Sequence, residues 1–160
     1  MRMWTIKAVG MLVLLLTMAA GQADSRGFNA HLSGGAEVPP VATQAQGQAI
    51  FRVLGGGTAI HYRLNVANID EVLMAHIHLA PEGENGDIVV WLYPSAPPAQ
   101  LVPGRFNGIL AAGVITDASL VGPLDGQTLA DLITAIEDGN TYVNVHTSAN
   151  PTGEIRGQIR

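Results

Sequence analysis

The chain has 160 residues, with thirteen acidic against eight basic side chains, no cysteine and a formal net charge of −5 at pH 7. This charge excludes nucleic acid and anionic membrane surfaces as expected partners, because both require clustered positive charge. The length fits a single domain, and without cysteine a secreted fold must be held by its core, or by a core plus a metal ion.

The N-terminal segment has the layout of a secretory signal peptide. Arg2 and Lys7 precede an apolar run over residues 8–20, and small residues follow it. The run is short for a permanent membrane helix, which leaves a retained anchor as the alternative. We predict a signal peptide at residues 1–23 and a secreted or periplasmic domain at residues 24–160, with no membrane span after cleavage. This domain has six arginines, no lysine and a formal charge of −7.

Short stretches with a period of two follow in chain order. Residues 28–33 form a first candidate strand, and a glycine turn follows it. Residues 47–54 and 58–69 alternate polar and apolar side chains on either side of the glycines at 55–57, which predicts a β-hairpin. Further strands are predicted, in chain order, at residues 74–80, 87–93, 106–116, 142–147 and 153–159.

One segment has helical periodicity instead. Within residues 128–140, apolar side chains recur at i, i+3, i+4 and i+7, Thr128 can cap the first turn with Asp131, and Gly139 ends the pattern. Seven or eight short strands with one short helix predict an all-β fold. Its expected form is an antiparallel sandwich or a partly closed Greek-key barrel.

The motif "MAHIHLA" at residues 74–80 places two of the five histidines one residue apart. On a strand, His76 and His78 project to the same side, about 7 Å apart along the chain. His146 occupies the corresponding phase of its own strand, pointing away from the neighbouring valines. If the two strands are neighbours, three imidazoles meet on one face.

Three neutral nitrogen donors predict a site for copper or zinc. Water or a carboxylate of the following loop, from Glu82, Glu84 or Asp87, would complete the coordination. The alternative is structural, with the same three histidines hydrogen-bonded to loop backbone so that they hold the strand ends in place. Spacing alone leaves both hypotheses open, whereas His31 and His61 are predicted to be exposed.

The sequence contains no complete catalytic set. Thr147 and Ser148 follow a histidine, but no nucleophile-elbow motif surrounds them. Glu37 and Glu154 are a conceivable carboxylate pair of unknown separation. Glu154 also shares one face of the last strand with Arg156, which predicts a cross-strand ion pair there.

Four motifs in the order "EVPPV", "AHIH", "NVHT" and "GEIRGQI" make the chain resemble the CHRD (chordin-type) domain family, as a single-domain secreted member of the bacterial type. The resemblance covers nearly the whole of residues 24–160. It implies an extracellular all-β domain of immunoglobulin-like or barrel character, and it implies little chemistry. A weaker analogy connects the His-x-His strand to copper-zinc superoxide dismutase, but the disulfide cysteines and a recognisable zinc loop are missing.

Two hypotheses about function follow. The first is a secreted or periplasmic binding or structural module that does not catalyse a reaction, and whose partner is an extracellular protein or glycan. The second is a copper or zinc protein, with a superoxide-dismutase-like site as one form of it, that uses His76, His78 and His146 as metal ligands.

Overall fold

The computed structural model describes residues 26–160. The predicted signal peptide and its cleavage site lie outside the described residues. None of the helices within this range is long and apolar enough to cross a membrane. The described range contains seven strands and one α-helix, in the order β1 Gly27–Ser33, β2 Gln46–Leu54, β3 Ala59–Leu79, β4 Asp87–Tyr93, β5 Val102–Ile115, α1 Leu129–Glu137, β6 Thr141–Thr147 and β7 Ile155–Gln158.

Five of the strands close into a barrel. The antiparallel ladder runs β2-β1-β7-β6-β3, and β3 pairs back with β2 to complete the ring. Two further strands pair alongside β3 outside this ring. Strand β5 pairs with the first half of β3, and strand β4 pairs with its second half. The predicted all-β antiparallel fold with seven or eight strands and one helix is therefore confirmed, in its barrel form. The barrel interior is filled by aliphatic and aromatic side chains, among them Leu32, Phe51, Leu64, Ile77, Val143 and Ile155.

Strand β3 is longer than its sequence pattern predicts. We predicted two strands over this range, whereas Ala59–Leu79 is a single strand of 21 residues. Asn68 and Glu71 have positive φ values of 55° and 53°, and the pairing with β5 shifts register around them. Such irregularities bend a strand without ending it. The first half of β3 pairs with β2 and β5, and the second half pairs with β6 and β4.

Strand β6 is buried along its whole length. Val143 and Val145 belong to the hydrophobic core, so alternation places Tyr142, Asn144 and His146 on the opposite face. The residues of β3 directly opposite these three are His78, His76 and Met74, in that order. The predicted phase of the histidines on both strands is therefore confirmed, and it creates a polar face outside the barrel core.

Helix α1 forms as its sequence predicts. The backbone N–H of Thr128 donates to the Asp131 carboxylate at 2.9 Å, which completes a capping box. The helix buries its apolar side chains Leu129, Leu132, Ile133 and Ile136.

Strand β7 approaches β1 so closely that Gly157 has no room for a side chain. A Cβ atom at this position would overlap the carbonyl oxygen of His31, whereas a Cβ on Gly35 would meet nothing within 4 Å. We expect Gly157→Ala to destabilise the fold by about 2–3 kcal/mol, because overpacking must displace backbone here. Urea denaturation would measure the change, with Gly35→Ala as the control. Equal stability of the two variants would contradict this packing.

Candidate functional site

Three histidines converge on the polar face between β3 and β6. His76, His78 and His146 each offer a ring nitrogen, and these nitrogens lie within 4.8 Å of one another. Their exposed fractions are 0%, 7% and 6%. The structure thus brings together the three residues that the sequence selects, while His31 and His61 are exposed elsewhere.

Two backbone carbonyls set the orientation and tautomer of two of these rings. Nδ1 of His78 lies 2.9 Å from the carbonyl oxygen of Gly86, and Nδ1 of His146 lies 3.0 Å from that of Pro151. A carbonyl oxygen can only accept, so each Nδ1 carries the proton and each Nε2 presents a lone pair. These bonds join the loops to the strands, as the structural hypothesis predicts for His78 and His146, whereas His76 is bonded to His146 and not to a loop. They are also the outer contacts that orient histidine ligands in metal sites.

The third ring leaves lone pairs without a partner. Nδ1 of His76 lies 3.0 Å from Nε2 of His146, and because the latter accepts, His76 donates from Nδ1. Its own Nε2 then carries a lone pair. Nε2 of His76 and Nε2 of His78 are both buried and have no hydrogen-bond partner of good geometry within the described part of the chain, although the side chain of Asn144 lies near His78. A buried polar atom without a hydrogen bond lowers the stability of the fold by about 1–3 kcal/mol. The burial of these two nitrogens therefore needs an explanation.

The spacing of the nitrogens is wider than a bound ion requires. Two nitrogens bonded at about 2.0–2.1 Å to one tetrahedral zinc or copper ion are about 3.4 Å apart. The separations here extend to 4.8 Å. Binding would therefore require the most distant nitrogens to approach by about 1.4 Å, and His76 would have to release its hydrogen bond to His146.

The electrostatic environment keeps the rings neutral. Burial lowers the pKa of His76 to about 3, with further lowering by the charges of His146 and His78. Burial also lowers the pKa of His146 to about 4 and lowers the pKa of His78. Metal ions bind the neutral form of imidazole, so these nitrogens are available at neutral pH without displacing a proton from the ring.

Aromatic side chains and an arginine enclose the histidines. The Trp91 ring meets His76 edge-on, with centroids 4.2 Å apart, and Tyr142 stacks on His78 at 4.8 Å. The guanidinium of Arg156 lies 3.4 Å from the centroid of Tyr142. The sequence did not predict this stack, although Tyr142 shares a strand face with Asn144 and His146, and Arg156 of β7 lies opposite Asn144.

The predicted ion pair between Glu154 and Arg156 is wrong. Glu154 accepts hydrogen bonds from the hydroxyls of Thr43 at 2.6 Å and Thr147 at 2.7 Å. Arg156 donates instead to the side chain of Asn85, at 3.0 Å, and to the carbonyl of Glu84. Thr147 is the last residue of β6, and the other three partners lie in loops, whose positions cannot be inferred from strand phase.

The predicted carboxylates do not join the histidines. Glu82, Glu84 and Asp87 are exposed, and none belongs to the histidine group. Glu154 and Glu37 are the buried acidic residues of the described range, and Oε1 of Glu37 has no hydrogen-bond partner there. Burial raises the pKa of Glu37 to about 7, against the lowering effect of Arg156.

Comparison with known proteins assigns the chain to a family. The model of the CHRD domain family matches residues 28–159. Chordin of Danio rerio is 34% identical over 133 residues, and chordin of Xenopus laevis is 31% identical over the same length. Each match covers 80% of this chain but 12% of the relative, so the chain spans about one eighth of the length of these relatives. No solved structure matches the chain significantly.

The buried rings predict a stability that depends on pH. Unfolded histidines titrate near 6.5, above the folded pKa values of about 3 for His76 and about 4 for His146. Between these values the unfolded chain binds more protons, so the free energy of unfolding rises with pH. For metal-free protein we expect a loss of at least about 2 kcal/mol as the pH falls from 7 to 4.5, measured by urea denaturation in chelator.

Glu37 acts in the opposite direction and supplies the control. Its pKa is raised from 4.5 to about 7, so in that range the folded state binds the extra proton and stability falls with rising pH. Three histidines outweigh one carboxyl group. Glu37→Gln should therefore steepen the loss on acidification, and a stability that is flat or increases towards pH 4.5 would contradict the burial of neutral rings.

Proposed function

Because the chain belongs to the CHRD domain family, we propose that it is a secreted or periplasmic binding module that acts without catalysis. Support comes from the family match over residues 28–159 and from the signal peptide predicted at residues 1–23. The partner in this proposal is an extracellular protein or glycan. The observation that carries the proposal is a sheet surface suited to binding, which is formed by β2, the first half of β3 and β5.

Exposed side chains of three neighbouring strands form this surface, which we call the outer face. Arg52 of β2 lies opposite His61 of β3, which lies opposite Val114 of β5. In the next row, Ile50 lies opposite Arg63. Ile50 and Val114 remain 38% and 50% exposed, in adjacent rows on the two strands that flank β3.

The charge of the outer face is opposite to that of the chain. Residues 46–54, 59–67 and 109–115 contain no aspartate or glutamate, although the chain has thirteen acidic residues. Arg52 and Arg63 are exposed, and neither takes part in an ion pair within the described range. Positive charge among aliphatic side chains is complementary to an anionic partner that also carries apolar groups.

Removing the two charges tests this proposal. We expect Arg52→Gln/Arg63→Gln to weaken capture of an extracellular partner on the immobilised domain by roughly three- to tenfold at 0.15 M salt, since exposed charges contribute modestly. Arg105→Gln/Arg160→Gln removes the same charge elsewhere and should bind like the wild type. Equal loss in both variants would contradict a role of the outer face, and turnover of any tested substrate would contradict a non-catalytic module.

A second candidate function is copper or zinc binding by His76, His78 and His146. The observation that favours it is the pair of buried Nε2 atoms of His76 and His78, which have no partner in the described part of the chain. The two carbonyls of Gly86 and Pro151 orient the rings so that lone pairs remain free. An ion bound between the rings would satisfy these atoms.

Metal content distinguishes this function from a purely structural cluster. Protein purified without an affinity tag should carry about one copper or zinc ion per chain, and His76→Ala/His78→Ala should carry none. His31→Ala/His61→Ala removes two exposed histidines and should retain the metal. If wild-type protein contains no metal and binds none in calorimetry at neutral pH, the cluster is structural only.

A further inference from the structure

We infer that the three-histidine site is a copper(I) site and that the thioether of Met74 completes it. This inference rests on the proposed metal-binding function and adds a fourth ligand and a choice of metal. It starts from the first residue of the motif "MAHIHLA", which takes no part in the barrel core.

The register of β3 on β6 places Met74 at the site. From Met74 to Leu79 the ladder is regular, and Met74 lies directly opposite His146. Alternation puts Met74 on the same face as His76 and His78, with Ala75 and Ile77 on the core side. Directly opposite residues of an antiparallel pair have Cβ atoms about 4.5–5.5 Å apart, which is within reach of a methionine sulfur.

Met74 is less buried than the residues that follow it. It is half-buried, whereas Ala75, His76, Ile77 and His78 are buried. Methionine has three rotatable bonds and a polarisable sulfur, so it can adjust to a neighbouring group at low cost. The chain's other four methionines lie within residues 1–18, so Met74 is the sole methionine of the predicted mature domain.

The ligand set favours copper(I) over zinc. Thioether sulfur is a soft ligand that selects copper(I), while zinc sites use thiolate, imidazole and carboxylate. The metal-ligand group contains imidazoles alone, without a carboxylate, and the chain has no cysteine. Three nitrogens and one sulfur would give a four-coordinate site made of neutral ligands.

The charge of the ligands favours a monovalent ion. With neutral ligands the full charge of the ion remains in a buried place, and the desolvation penalty increases steeply with that charge. The positive charge of Arg156 acts on the site, but it is opposed by the negative charge of Asp87, which also acts on His78. The neutral ligand set, rather than the surrounding charges, therefore favours a monovalent ion.

Competition titrations of the domain, residues 24–160, test the inference. Copper(I) would be titrated without oxygen against bicinchoninate, and zinc(II) against a zinc chelator, for the wild type and for Met74→Leu. Leucine keeps the volume and apolar character, so the fold should persist. We expect Met74→Leu to lower copper(I) affinity by about 10–100-fold and to leave zinc affinity unchanged.

Two further readouts separate binding from packing. The Trp91 ring contacts His76, and the chain's other tryptophan is Trp4, so the emission of the domain should change with occupancy. X-ray absorption at the copper edge should show one sulfur neighbour in the wild type and none in Met74→Leu.

The possible outcomes distinguish the two proposals. If wild-type protein binds copper(I) and Met74→Leu binds it equally well, the assignment of Met74 is overturned while metal binding stands. If zinc binds the wild type more tightly than copper(I), the choice of metal is overturned. If neither ion binds, metal binding itself fails and this inference fails with it.

Discussion

The antiparallel pairing of β3 with β6 is the contact on which the other features depend. One half of β3 closes the barrel against β2, and the other half sets the register of β6. A slip of one residue in that register would turn His76 and His78 into the apolar core and expose Ala75 and Ile77, because side chains alternate with a period of two. Burial of the apolar residues on one face therefore determines which polar residues meet on the other.

A buried polar face is stable only if loops supply its hydrogen-bond partners. The loop before β4 supplies the carbonyl of Gly86 to His78, and the loop before β7 supplies that of Pro151 to His146. Arg156 is bound by the first of these loops and by the ring of Tyr142. In a purely structural network, protein groups would supply a hydrogen-bond partner for every buried polar atom. The Nε2 atoms of His76 and His78 lack such a partner in the described range, and this distinguishes the cluster from such a network.

The two proposed functions use different halves of β3. Arg63 and His61 lie in the half that carries the outer face, and His76 and His78 lie in the half that carries the buried cluster. Asn68 and Glu71 lie between the two halves, and no residue of the outer face contacts the histidines through a hydrogen bond in the described range. Binding of a partner and binding of a metal can thus be tested separately in one domain.

Local pattern determined the hairpin of β2 and β3, the capped helix and the shared phase of the three histidines, because alternation and capping depend on neighbours in sequence. The continuity of β3 escaped prediction, since the irregular residues around Asn68 and Glu71 interrupt the local alternation, and the strand is continued by its pairing with β5 and β6. The partners of Glu154 and Arg156, the burial of Glu37 and the place of Met74 opposite His146 likewise depended on the tertiary structure. Loop coverage and strand register arise from contacts between distant segments, which residue order alone does not specify.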